Sequence, residues 1–221
     1  MHGNLPALEA ALGEARRRGA DLIVFGGDLA WGPMPAETVT LIRALDAVHV
    51  RGNADREVAA AAGDEMTTWA AAQLSGDDRA WLGALPEEQV VEVEGLGPVR
   101  FVHGSPRSDE ETITAVTPRE RVAAMLDGVE EPVVVCGHTH AQFDRTVGVT
   151  RVVNAGSVGL PFGAPGAHWL LLGPGVEHVV TPYDAGAAAT LFRASGSPEA
   201  EELAAHAAAP PPASTAAELY G

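Results

Sequence analysis

The sequence predicts an α/β fold built from strand–helix–strand units, with a mostly parallel sheet. Short apolar runs rich in β-branched residues alternate with segments whose apolar residues recur every three or four positions. The 221 residues suffice for one sizeable domain, and 46% hydrophobic residues with 25 glycines are typical of a packed protein with many turns.

The first half of the chain contains the clearest strand–helix–strand series. Its pattern predicts amphipathic helices over 5–18 and 35–45, buried strands over 21–25 and 47–50, and an alanine-rich helical segment over 57–84. Consecutive parallel strands need a crossover connection, so we expect the helices to cover the sheet.

The second half contains shorter strands and an irregular end. Residues 1–184 are expected to form one domain, and 185–221 a helical C-terminal extension in which 210–214 is mobile. The predicted strands cover 88–94, 98–102, 132–136, 142–146, 150–153 and a hairpin of 167–172 with 176–181, and a helix is predicted over 118–126.

Composition excludes several classes of protein. The single cysteine excludes a disulfide framework, and no apolar stretch approaches the ~20 residues of a membrane helix. With no signal peptide before the first helix, we expect a soluble, cytoplasmic protein without a membrane partner. The net charge of −16, with all 14 basic residues arginine, argues against duplex nucleic acid as a partner.

Metal-ligand side chains stand where the predicted strands end. Imidazole, carboxylate and amide oxygens together suit Mn²⁺, Fe²⁺, Zn²⁺ or Mg²⁺. Six such residues are too many for one tetrahedral ion but suit two ions that share a carboxylate. The alternative for each is a strand-end polar residue that the backbone satisfies. The six are His2 before the first helix and, after strands, Asp28, Asn53, His103, His138 and His140.

The order of these motifs resembles the calcineurin-like metallophosphoesterase superfamily, most closely its small bacterial and archaeal phosphodiesterase branch. The resemblance runs from residue 2 to about 182. It is carried by His2-Gly3-Asn4, Gly27-Asp28 with Gly32-Pro33, Gly52-Asn53-Ala54-Asp55, His103-Gly104, Gly137-His138-Thr139-His140 and Asn154-Ala155-Gly156-Ser157-Val158.

The resemblance implies a fold, a reaction and roles for the six residues. The fold would be a two-sheet β-sandwich flanked by helices. Asp28 would bridge two divalent ions, with Mn²⁺ expected and Fe, Zn, Ni or Mg as alternatives. His2 and His140 would complete the first site, and Asn53, His103 and His138 the second. A hydroxide activated by both ions would attack a phosphodiester or nucleotide-type phosphoric ester, a small substrate, with Asp28, Asn53 and His103 as the catalytic residues.

Two departures from the family pattern change the expectation. The family's first motif is Asp-any-His at the end of a first strand, whereas only Met1 precedes His2 here. The first strand and its aspartate are thus missing, and we expect the true start to lie upstream, with a weakened first site in the chain as given. The alternative is a catalytically impaired homologue that binds a metal or nucleotide and acts as a regulator.

The second departure is Ala54, where many members carry a histidine that protonates the leaving group. Without it, diesters with activated leaving groups are favoured over simple monoesters and over a protein-phosphatase activity. Asp55 is then expected to cap the following helix.

Several other residues receive a structural interpretation. Cys136, His49 and His178 are expected in or near the core, and Arg51 and Arg107 either contact phosphate or form surface ion pairs. The hairpin over 167–181 offers an edge for a homodimer.

Overall fold

The computed structural model describes all 221 residues. Its strands are β1 (Ile23–Phe25), β2 (Ala47–His49), β3 (Glu88–Val93), β4 (Gly97–Val102), β5 (Val133–Cys136), β6 (Phe143–Val147), β7 (Thr150–Asn154), β8 (Ala167–Leu172) and β9 (Val176–Thr181). Its helices are α1 (Leu5–Arg17), α2 (Pro35–Arg43), α3 (Asn53–Ala60), α4 (Glu65–Gln73), α5 (Gly76–Gly83), α6 (Arg119–Met125), α7 (Ala185–Ala194), α8 (Ala200–Ala208) and α9 (Ala213–Tyr220). The predicted strands are all present, and the hairpin of β8 and β9 has the predicted bounds.

One layer of the fold is a mixed five-stranded sheet of order β3-β4-β5-β7-β6. The central pairs β4–β5 and β5–β7 are parallel, and the two outer pairs are antiparallel. Val135 of β5 lies opposite Phe101 of β4, so both strands end at the same edge of the sheet. The loops that carry His103 and His138 are therefore neighbours.

The second layer is divided into two separate pairs of strands. β1 and β2 are parallel, β8 and β9 are antiparallel, and no ladder joins the two pairs. Side chains of both pairs, including Val24 and Leu170, pack on the apolar face of the five-stranded sheet. The predicted two-sheet sandwich is confirmed, with its second sheet split in the middle.

A groove separates β1 from β8. Its volume is about 820 Å³, and residues of both strands line it together with Leu8 and Leu12 of α1. Each of the two strands is paired on one side only, so both have a free edge. One end of the groove reaches His2 and Asp28.

Helices cover the outer faces of both layers. The largest core cluster lies under α1 and α2 and includes Leu8, Phe25 and Ile42, all less than 5% exposed. A second cluster joins α6 to the outer face of the five-stranded sheet through Val122 and Met125. None of the helices has the length and apolar character needed to cross a membrane.

The segment 57–84 is not the continuous helical segment that its alanine content indicates, but three short helices. Ala61 ends α3 in the left-handed conformation, with φ of 51°. Asp64 and Ser75 then accept hydrogen bonds from the backbone N–H groups of Thr67 and Asp78, and so begin α4 and α5.

The C-terminal extension contains α7, α8 and α9. Phe192 of α7 and Leu203 of α8 are buried in a cluster that also contains Met66 of α4. Within the segment expected to be mobile, the carbonyl of Pro211 accepts a hydrogen bond of 2.8 Å from Gly163. The domain boundary at residue 184 and the mobility of 210–214 stay predictions.

Candidate metal centre

The structure brings all six predicted metal ligands together. Two groups of three have their ligand atoms within 4.8 Å of one another, and both groups contain Asp28. The first group is Asp28 with His2 and His140, and the second is Asp28 with His103 and His138. The grouping is the one implied by the resemblance, although the binding of metal by these residues stays a prediction.

The first group is tightly packed. The Nε2 atoms of His2 and His140 are 2.9 Å apart, and His2 Nε2 lies 3.5 Å from Asp28 Oδ2. The ring of His2 also meets Trp31 edge-on, with ring centroids 5.6 Å apart. Three buried donor atoms therefore converge on one point.

The second group is organised around His103. Its Nε2 lies 3.3 Å from Asp28 Oδ2 and 3.1 Å from Asn53 Oδ1, so Asn53 belongs to this group. Its Nδ1 donates a 2.8 Å hydrogen bond to the carbonyl of Gly26. A carbonyl only accepts, so Nδ1 carries a proton and Nε2 is the atom available to a metal.

Four of the six predicted ligands have a left-handed backbone. The φ angles of His2, Asp28, His138 and His140 are 54°, 55°, 61° and 58°. This conformation is uncommon outside glycine and costs on the order of 1–3 kcal/mol per residue. Such strain concentrates at functional sites, so the backbone is an independent reason to place the site here.

Glycine permits the close approach of two loops beside Asp28. A Cβ on Gly52 would lie 2.1 Å from Asp28 Oδ1, and one on Gly27 would lie 2.6 Å from the nitrogen of Gly52. The carboxylate of Asp28 accepts a 3.0 Å hydrogen bond from the N–H of Ala54. Position 54 thus orients the carboxylate through its backbone and offers only a methyl side chain.

Asp55 supports the same loops, as its predicted capping role requires. Its carboxylate accepts hydrogen bonds from the N–H groups of Gly52, at 3.0 Å, and Leu29, at 2.7 Å. Burial, together with the charge of Asp28, raises the pKa of Asp55 to about 6. The side chain therefore ties the start of α3 to the residue after Asp28.

Burial keeps most of the imidazoles neutral. It lowers the pKa of His140 to about 3. It also lowers the pKa of His2 and of His138, and neighbouring histidines lower these two pKa values further. Burial alone would lower the pKa of His103 as well, but the Asp28 carboxylate outweighs it and raises that pKa. Burial raises the pKa of Asp28, but the imidazoles of His103 and His2 outweigh it and hold that pKa well below its usual range.

These properties fit a divalent cation. A carboxyl group binds a metal in its ionised form and an imidazole in its unprotonated form, and burial favours the unprotonated state at His2, His138 and His140. Two triads that share one carboxylate can hold two ions, and Asp28 is the sole carboxylate in each triad.

A network of hydrogen bonds centred on Asn154 supports the loop that carries His138 and His140. Asn154 is fully buried, and its Nδ2 donates to the Gly137 carbonyl at 2.6 Å and to Thr139 Oγ1 at 3.1 Å. Its Oδ1 accepts from the N–H of Gly156 at 2.8 Å. Asn154 thus holds the loop of His138 and His140. In the sequence, its membership of the family-like segment 154–158 is the one feature that marks it.

The other residues singled out in the sequence contribute to the core or form ion pairs. Cys136 is 2% exposed in the core, where burial raises the pKa of its thiol to about 12. His49 stacks on Phe25. Arg51 pairs with Glu87, and Arg107 with Glu111, so both arginines form ion pairs.

One residue near the site was missed altogether. Tyr220, at the end of α9, has its ring 6.1 Å from the ring of His138. It lies in an alanine-rich tail with no motif, so no local signal identifies it.

Comparison with known proteins gives the family. Residues 1–173 match the family model of the calcineurin-like phosphoesterase superfamily domain. The structure is similar to a metallophosphoesterase from Sphaerobacter thermophilus, with 28% identity over 94% of this chain and 95% of that chain and a TM-score of 0.76. Functionally curated proteins gave no match.

Two further solved structures share the fold at lower identity. A hypothetical protein from Pyrococcus horikoshii is 21% identical over 93% of each chain, with a TM-score of 0.76. A provisionally assigned diadenosine tetraphosphatase is 21% identical over 81% of this chain and 91% of that chain, with a TM-score of 0.54. Given the family model that spans most of its length, this chain belongs to the calcineurin-like phosphoesterase superfamily.

Proposed function

We propose that this protein is a metal-dependent phosphoesterase that hydrolyses phosphodiesters or nucleotide-type phosphoric esters. The observation that carries the proposal is the pair of triads that share Asp28, in which every member but the half-buried His138 is buried. Two divalent ions, with Mn²⁺ expected, would supply a nucleophile at neutral pH and neutralise the charge on the phosphoryl oxygens. The similarity to a metallophosphoesterase supports this class of reaction.

The residues of the chain would hold and orient these ions. Asp28 stays ionised and belongs to both triads, so its carboxylate would be a ligand in each site. The bond from His103 Nδ1 to Gly26 fixes the ring so that Nε2 faces Asp28 and Asn53. Neutral His2 and His140 would complete the first site.

Ala54 favours esters whose leaving group departs without assistance. Its N–H binds Asp28, and its methyl group can neither donate nor accept a proton. General acid catalysis contributes ~10²–10⁴-fold in enzymes that use it. Diesters with activated or nucleotide leaving groups are therefore better substrates than simple monoesters.

The test is hydrolysis of bis-p-nitrophenyl phosphate by this chain with Mn²⁺ and with a chelator. We expect turnover that requires Mn²⁺, exceeds that of p-nitrophenyl phosphate, and is abolished in Asp28→Asn. Asp77→Asn is the matched control, because it makes the same change at an exposed position on α5. Circular dichroism of both variants checks folding. Equal turnover in the two variants would contradict the proposal.

The first triad keeps a second function open. Its ligands are two imidazoles and the carboxylate that it shares with the second triad, so it carries less negative charge than a site with a carboxylate of its own. A protein that binds metal or nucleotide without turnover fits that arrangement. A folded chain that binds Mn²⁺ in calorimetry and hydrolyses neither ester would support this regulatory function.

A further inference from the structure

The C-terminal extension, residues 185–221, forms a wall of the candidate metal centre. His206 of α8 donates through Nε2 to the carbonyl of Pro161 at 2.7 Å. It also packs edge-on against Phe162, with ring centroids 5.9 Å apart. Phe162 in turn lies 6.3 Å from the ring of His140. The extension therefore reaches one histidine of the pair through a chain of ring contacts.

Helix α9 reaches the other histidine directly. The ring of Tyr220 is tilted by 45° against the ring of His138, with centroids 6.1 Å apart. The hydroxyl of Thr112 donates a 2.9 Å hydrogen bond to the carbonyl of Tyr220, and Ala216, one turn earlier, is 1% exposed. These contacts hold the end of α9 against the domain.

The phenol hydroxyl of Tyr220 is uncommitted. The side chain is half-buried, and its hydroxyl makes no hydrogen bond within the chain, whereas the hydroxyl of Tyr183 binds Asn4. The charge of Asp28 adds to burial in raising the pKa of Tyr220. The phenol thus lies within the electrostatic reach of the carboxylate that both triads share.

Cationic groups near the site are already neutralised. Arg56 pairs with Asp109 and Glu110, and Arg107 pairs with Glu111. A substrate phosphoryl group would have to compete with these carboxylates for either arginine. A neutral hydroxyl without a partner has no such competitor.

We propose that Tyr220 contacts the substrate, with its hydroxyl donating a hydrogen bond to a phosphoryl oxygen of the ester bound beside His138. This role rests on the proposed function, because it needs a phosphoryl group at the metal centre. It assigns a substrate contact to a residue outside the family domain, which ends at residue 173.

The test uses the full chain loaded with metal and inorganic phosphate as the probe. In calorimetry, Tyr220→Phe is expected to weaken phosphate binding about tenfold, the effect of losing one hydrogen bond to a charged group. Leu219→Ala is the control, because Leu219 is the adjacent residue of α9 and is 65% exposed. It should bind phosphate within about twofold of the parent chain, and both variants should keep the Mn²⁺ affinity of the parent chain.

A second readout does not depend on affinity. The chain contains two tyrosines, so ring-labelled tyrosine gives two sets of NMR resonances, and Tyr220→Phe identifies the set of Tyr220. In the Zn²⁺-loaded chain, phosphate should shift the Tyr220 set and leave the Tyr183 set in place.

The outcomes separate this inference from the proposed function. If phosphate binding depends on Tyr220 but the chain hydrolyses no ester, the Tyr220 contact stands and the proposed phosphoesterase activity is refuted. Ester hydrolysis with equal phosphate binding in Tyr220→Phe and the parent chain would refute the contact alone. Absence of phosphate binding in the parent chain, or an unshifted Tyr220 resonance, would also overturn it.

Discussion

Replacing Gly52 by alanine tests whether the position of Asp28 controls the metal centre. An added Cβ would lie 2.1 Å from Asp28 Oδ1 and 2.4 Å from its backbone nitrogen. The backbone of Gly52, with φ of −91° and ψ of 168°, suits alanine, so strain at residue 52 itself is absent. Ordinary contact begins at 3.4 Å, so the carboxylate or its loop must move by about 1.3 Å, the difference between these distances.

Such a shift is large for a site of this kind. A misplacement of about 1 Å can cost on the order of 10²-fold in rate. We therefore expect Gly52→Ala to lose about 10²-fold in kcat/KM for bis-p-nitrophenyl phosphate, and about tenfold or more in Mn²⁺ affinity measured by calorimetry. Thermal unfolding followed by circular dichroism shows whether the variant stays folded at the assay temperature.

Gly26→Ala is the matched control. Gly26 also lies in a loop at the site, but a Cβ there would meet nothing within 4 Å. This variant should keep both the rate and the Mn²⁺ affinity within about twofold, as exposed substitutions usually do. If the two alanine variants had the same Mn²⁺ affinity and the same rate, the inference that Gly52 positions Asp28 would be refuted.

Two further predictions concern stability. Asn154→Ala leaves the Gly156 N–H without its partner and removes one of the two hydrogen bonds to the Gly137 carbonyl, whose other donor is the N–H of Thr139. We expect the free energy of unfolding in urea to fall by about 2 kcal/mol. The second concerns pH in the metal-free protein, where burial lowers the pKa of six of the eight histidines, that of His140 to about 3. Between pH 6.5 and 3 the unfolded chain then binds more protons than the folded chain, so the urea midpoint should fall as the pH is lowered from 7 to 5.

Each prediction has a result that contradicts it. An Asn154→Ala variant with unchanged urea midpoint would show that the network does not stabilise the histidine loop. Thr150→Ser, a mild change at a buried threonine at the other end of the same strand, β7, controls for general sensitivity of that strand. For the pH dependence, a midpoint that rises on acidification would mean that the raised pKa values of His103 and Asp55 dominate instead.

Local patterns were sufficient to predict the strands and the helices that flank them. Apolar alternation and β-branched runs depend on neighbouring residues only, so the hairpin of β8 and β9 was predicted with its observed bounds. The segment 57–84 was harder, because alanine favours helix throughout and conceals the breaks. Ala61 adopts the left-handed conformation, and Asp64 begins a new helix, which propensity alone does not reveal.

Residue types and local patterns identified the six candidate metal ligands and placed five of them directly after strands. How these ligands are grouped depends on tertiary packing, since His2 and His140 are 138 positions apart and meet where separate segments of the fold pack together. Tertiary packing also brings Tyr220 of α9 against His138, 82 positions earlier in the chain. Local periodicity sets secondary structure, whereas contacts between distant segments depend on how whole faces bury against one another.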